Sequence, residues 1–114
     1  MKFTQEIKNN WINALKSGEY KQGFGGLVVD KNGYSLHNDE TEKFHCCIGV
    51  LGEITEGLTN KNYDETDSPY DFLRSTIGAE KMVKLYHKND ERPRNIARDY
   101  SNVIPLIEAL EVQE

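Results

Sequence analysis

The chain has 114 residues, 37% of them hydrophobic and 29% charged, with a mean hydropathy of -0.71. That length fits one domain with a modest core, and no stretch approaches the ~20 apolar residues of a membrane span. A net charge of -5 argues against a duplex-binding protein, which usually presents a basic face, so duplex nucleic acid and membranes are excluded as expected partners.

MKFTQEIKNNW, at the start, lacks the apolar core of a signal peptide, which sets a cytoplasmic expectation. Two cysteines in such a chain are expected to be reduced. Small folds of this size are at times completed by association, so a homo-oligomer stays among the expected partners.

Phe3, Ile7, Trp11, Ala14 and Leu15 recur at helical spacing. Thr4 suits the N-cap, Glu6 the first turn and Gly18 the stop, which predicts a helix over 4–17. Leu27, Val28 and Val29 then favour extended structure. The DKNG at 30–33 is a turn signal, so the spacing predicts a β-hairpin with strands over 25–29 and 34–37.

Phe44, Cys47, Ile48, Leu51, Ile54 and Leu58 form the next helical stripe. With Asp39 or Thr41 as cap, it predicts a helix over 42–56. Gly49 and Gly52 lie off the stripe, where each costs about 1 kcal/mol against alanine. Two such glycines imply another backbone packed close, most simply the glycine-rich hairpin.

Residues 59–76 read as a variable loop or insertion, with a short helix starting at Ser68-Pro69. Met82, Val83 and Tyr86 give a helix over 78–87, and Tyr100, Val103, Ile107 and Leu110 one over 100–111, which Pro105 kinks or delays. The expected fold is therefore α+β: one domain over 1–114 of about four helices packed around a small antiparallel hairpin. Trp11, Leu15, Phe44, Cys47, Ile48 and Leu51 are the candidate core.

Four stretches could carry chemistry. His45-Cys46-Cys47 could hold a thiol nucleophile, with His45 or His87 as base and Asn89 following. Cys47 falls on the apolar stripe, however, and buried packing is the simpler reading for both thiols. A zinc site usually needs two spaced ligand pairs, and the sequence supplies one cluster, so no metal and no cofactor are expected. The acidic stretch DETDSPYD lacks the calcium-loop pattern and reads as a solvated loop.

GFGG at 23–26 has a helix before it and a strand after it, the reverse of a phosphate-cradling loop. It reads first as a tight turn. Tyr20, Gln22, Gly23 and Gly25 remain candidate ligand contacts, because polar groups adjoin the turn. Arg92, Arg94 and Arg98 form the one basic cluster and the best candidate anion site, since guanidinium groups clamp phosphate or carboxylate bidentately, with ordinary salt bridges to the many nearby carboxylates as the plainer reading.

WINALKSGEYKQGFGGL (11–27) and FHCCIGVLGEI (44–54) together resemble a widespread family of small uncharacterised proteins encoded by tailed phages and prophages. Its members open with a tryptophan followed by A-L-x-S-G-x-Y-x-Q-G-x-G-x-L, then an aromatic residue and C-C-L-G-V-L. Asn89-Asp90 and DYSNVIPLIE (99–108) are similar to the family's later N-D and S-F-x-x-I-A-x-x-I-E elements, with Pro105 and a longer gap as departures. The resemblance implies an accessory phage or prophage protein and brings no catalytic residue. The expected function is non-enzymatic binding in the host cytoplasm, as counter-defence sequestration of a nucleotide-like signal, another small anionic ligand or a host protein. A structural or virion accessory protein and a thiol-dependent enzyme using Cys46 or Cys47 are the alternatives.

Overall fold

The first helix forms where its caps dictate. In the computed structural model, which describes residues 1–30, 32–34, 42–60, 67–91 and 99–113, α1 spans Gln5–Lys16. Thr4 Oγ1 accepts from the Ile7 N–H at 3.2 Å, and Gly18 leaves the helix at φ +81°. The buried face of α1 carries Trp11 and Leu15, and the Trp11 indole N–H donates to the Cys47 carbonyl at 2.8 Å. A buried indole that keeps a hydrogen-bond partner adds its apolar area without a desolvation cost.

The two-stranded antiparallel sheet pairs β1 (Val28–Val29) with β2 (Phe44–His45), in the register Val28 to His45 and Val29 to Phe44. This corrects two expectations. The sequence pattern assigned Phe44 and His45 to a helix starting at 42, yet their backbone groups are engaged elsewhere. The His45 N–H donates to the Lys21 carbonyl at 2.8 Å, and the His45 carbonyl accepts from the Gly23 N–H at 2.9 Å. Helix α2 is therefore confined to Cys47–Ile54, with Cys46 as its cap. Phe44 is half-buried instead of lying in the core, and the Lys21 ammonium stands over its ring. The expected strand over 34–37 and the caps Asp39 and Thr41 fall mostly or wholly outside the described residues. Within them, Asp30 is joined to the residues that follow the turn signal: its carboxylate accepts from the Asn32 and Tyr34 N–H groups, and its N–H donates to the Tyr34 carbonyl.

Gly49 explains how α2 lies against this sheet. A Cβ there would collide with the Leu27 carbonyl, so the strand region and the helix touch backbone to backbone, as its place off the stripe implies. Gly52 serves a different neighbour, the Asn60 side chain and Pro69.

The segment read as a loop contains a core helix. Ser68 caps α3 (Pro69–Thr76), with Pro69 in its first turn, and Pro69, Phe72 and Leu73 are buried. Helix α4 spans Ala79–Asn89, two residues longer at its end than expected. The last helix is shorter: α5 covers Ile104–Glu108, with Pro105 at its start and Tyr100 before it at φ +66°. The chain ends are tied together, since the Phe3 N–H donates to Gln113 Oε1 at 3.0 Å and the Gln113 N–H to the Phe3 carbonyl at 2.7 Å.

These elements make one α+β domain. Trp11, Leu15, Leu27, Cys47, Ile48, Leu51, Leu73, Leu85 and Ile107 form its core, each at most 2% exposed. Among the described residues no helix is long and apolar enough to cross a membrane.

Candidate functional site

Gln22 and Asn89 are polar side chains in the centre of the molecule, 2% and 0% exposed. Each must find partners inside, because a buried polar group left alone costs about 1–3 kcal/mol. Gln22 Nε2 donates to Asn89 Oδ1 and to Asn102 Oδ1, each at 3.0 Å, while Gln22 Oε1 accepts from the Tyr100 N–H at 2.9 Å. Asn89 Oδ1 also accepts from the Cys47 N–H at 3.0 Å, and Asn89 Nδ2 donates to the Gly23 carbonyl and to Asp90 Oδ1. Tyr100 closes the seam by donating its hydroxyl to the His45 carbonyl at 2.7 Å. One connected network thus joins the 22–25 turn, β2, the start of α2, the end of α4 and the turn before α5.

This placement revises the candidate ligand contacts. Gln22 is fully engaged inside and presents nothing to a ligand. Gly23 donates its N–H inward to the His45 carbonyl, and Gly25, exposed on the turn, donates its N–H to Asp90 Oδ2. A Cβ at Gly23 would sit 2.8 Å from the Phe44 Cβ, and Gly25 has φ +83°, so both glycines are demanded by the turn itself. Arg92, Arg94 and Arg98 lie outside the described residues.

Both thiols are buried, Cys46 at 2% and Cys47 at 0% exposure. Cys46 Sγ caps α2 by accepting from the Gly49 N–H at 3.3 Å. Burial pushes the Cys46 thiol up to about 12, and burial, with Cys46 beside it, holds Cys47 well above the usual thiol range. A nucleophile needs the opposite shift and an exposed sulfur. The His87 and Asn89 partners proposed from sequence order are also misplaced: His87 is exposed beside Tyr86, and Asn89 holds the Cys47 amide instead of orienting a histidine. Among the described residues no group of three or more His, Cys, Asp or Glu could hold a metal ion.

A second polar cluster escaped the sequence pattern. His45 Nε2 lies 3.5 Å from Glu53 Oε1, and the Tyr20 ring meets the imidazole edge-on with centroids 5.2 Å apart. Asn60 fixes Glu53 by donating to its carboxylate at 3.0 Å. His45 Nδ1 is buried and has no hydrogen-bond partner. Burial lowers the His45 pKa, and the Glu53 carboxylate opposes that shift without cancelling it.

Tyr20 lies half-buried at the side of an open groove of about 390 Å³. Leu15 and Ile104 give the groove its apolar part, and Lys16, Lys21, Asp99 and Ser101 supply its polar groups. Lys21 also pairs with Glu42. Asp99 accepts from the Ser101 N–H at 3.1 Å, and the Ser101 hydrogen bonds hold its carboxyl below the usual range, so it is ionised. Lys16 and Ser101 were missed in the sequence because they lie 85 residues apart and meet only through the packing of α5 on α1.

The chain belongs to the family described as Domain of unknown function (DUF8296), whose profile covers residues 1–113. No curated protein and no solved structure matches it significantly.

Proposed function

We propose that this is a non-enzymatic accessory protein of phage or prophage origin that acts in the host cytoplasm by holding a small anionic, nucleotide-like ligand in the groove beside Tyr20. The observation that carries this reading is the combination within that groove of an aromatic ring, two lysines and an apolar side made by Leu15 and Ile104. Tyr20 offers a face for a base, and the Lys16 and Lys21 ammonium groups offer point charges for a phosphate. The Lys21–Glu42 pair is exposed, and exposed pairs contribute only about 0–1 kcal/mol, so a phosphate can displace Glu42 at small cost. Asp99 is placed to accept from a sugar hydroxyl. The burial of both thiols weighs against the thiol-enzyme alternative.

The test is native mass spectrometry of protein purified from cells, followed by calorimetric titration with nucleoside monophosphates. Retained mass in the nucleotide range, with binding weakened at least tenfold by Tyr20→Ala or by Lys16→Glu with Lys21→Glu, is the expected result. A bare protein that binds no nucleotide overturns the ligand assignment and turns attention to a host protein.

A further inference from the structure

His45 is buried, at 7% exposure, and its imidazole is only half satisfied. Its backbone is fixed at three points. The N–H donates to the Lys21 carbonyl, and the carbonyl accepts from the Gly23 N–H and the Tyr100 hydroxyl. The ring meets two partly exposed neighbours, Tyr20 edge-on and Glu53 through Nε2. Glu53 is tied down by Asn60. The Tyr20 hydroxyl makes no hydrogen bond among the described residues, so packing alone holds that ring. His45 Nδ1 is buried and has no hydrogen-bond partner.

These contacts separate two protonation states. With the Glu53 carboxylate beside Nε2, the neutral ring carries its proton there and leaves Nδ1 a bare acceptor. A second proton makes Nδ1 a buried donor with no acceptor and puts a charge where little water reaches, which is the costlier arrangement. Burial opposes the cation most, Glu53 on α2 favours it, and Lys43 before β2 opposes it. Glu19 and Lys21 flank Tyr20 in the chain, and Lys21 is paired with Glu42. Strand β1 sets the apolar Val28 opposite His45.

We infer that His45 and Tyr20 form a proton-operated latch: Tyr20 stays closed against the neutral imidazole, and uptake of a proton by His45 drives its ring toward water and parts it from Tyr20, reshaping the groove that Tyr20 lines. Tyr20 is the neighbour that gives way, because the His45 backbone and Glu53 are hydrogen-bonded in place. Its own proton takes no part, since burial, then Glu53 and Glu19, raise the phenol pKa above its ordinary value. The latch needs no ligand. By linkage, acid also loosens a ligand held against Tyr20, and that extension alone rests on the nucleotide reading of the groove.

Proton NMR of the full chain, with no ligand added, tests the latch from about pH 7.5 to about pH 5. The His45 ring signals should titrate with a midpoint below 6.5, and the cross-relaxation between the His45 and Tyr20 rings should be lost with the same midpoint. The Trp11 indole N–H signal, which reports the buried bond to Cys47, should stay in place. Tyr20→Ala should raise the His45 midpoint by at least about 0.5 pH unit, and Glu53→Gln should lower it by a similar amount. His45→Gln should leave the Tyr20 ring signals unchanged with pH. Tyr20→Ala, at the groove rim, keeps the test valid if His45→Gln misfolds. A ring-to-ring contact that survives the His45 titration overturns the inference, as does a midpoint unmoved by Tyr20→Ala or a His45 still neutral at about pH 5. Loss of the Trp11 signal at the same midpoint overturns it too, because it marks the event as unfolding.

Discussion

The buried seam around Gln22 and Asn89 and the open groove beside Tyr20 are built from neighbouring residues with opposite fates. Tyr20 and Gln22 are two positions apart, yet Tyr20 edges a groove and Gln22 is 2% exposed with its carboxamide engaged at both ends. Several of the residues that carry the motif resemblance fall on the seam side: Gln22, Gly23, Cys46, Cys47, Gly49 and Asn89 all bond or pack inward. A recurring motif of polar residues, glycines and cysteines reads naturally as a site. Here it joins five segments of the chain at one point. The proposed ligand reading rests instead on the rim, where Tyr20, Lys16, Lys21 and Ser101 line one groove.

The largest effect expected from breaking this contrast is at Asn89. Asn89→Ala leaves the Gln22 Nε2, the Cys47 N–H and the Gly23 carbonyl short of partners in the interior, and at about 1–3 kcal/mol each it should cost about 4 kcal/mol in urea denaturation. Tyr20→Ala, on the rim, should cost about 1 kcal/mol or less. Equal losses at the two positions would erase the distinction.

Gly49→Ala comes next. Its methyl group must displace the Leu27 carbonyl, and overpacking of this kind costs about 1–3 kcal/mol. Gly18→Ala meets no atom within 4 Å and carries only the penalty of its left-handed backbone, about 1 kcal/mol. Thermal melts of the pair separate close backbone approach from backbone strain.

The smallest effect sharpens the border between the regions, where His45 touches Tyr20. Burial depresses the folded-state pKa of His45, so the unfolded chain binds its proton more readily. The stabilisation from neutral His45 is complete above the unfolded value near 6.5 and declines as pH falls below it, down to the folded value. The loss is at most about 1.4 kcal/mol per pH unit within that window. Stability measured at pH 7.5 and pH 6 should therefore fall more for the wild type than for His45→Gln, and equal slopes would remove His45 as the cause.

Local signals in the sequence were enough for the elements that local physics controls. Thr4 and Gly18 bound the first helix, Ser68-Pro69 opens α3, and Pro105 delays α5. Phe44 and His45 were read as helix because Phe44 sits on a helical stripe with Cys47 and Leu51. Their actual partners, at residues 21–23 and 28–29, are supplied by tertiary pairing, which outweighs an apolar spacing. Gln22 was read as a ligand contact for a similar reason. A glutamine beside glycines looks available until Asn89, 67 positions later, arrives to hold it. The groove was legible only at Tyr20, because Lys16 and Ser101 come together through folding.

Thiol reactivity is the most direct measurement of whether the motif builds the fold or performs chemistry. The native protein is mixed with an aromatic disulfide reagent at neutral pH, and labelling of Cys46 and Cys47 is followed with and without denaturant. Both thiols should react only as fast as the protein unfolds, with protection that falls in step with stability and is largely lost in Asn89→Ala. Rapid labelling of either cysteine in the intact protein, at a rate independent of stability, would contradict this account and restore a reactive thiol to the centre of the molecule.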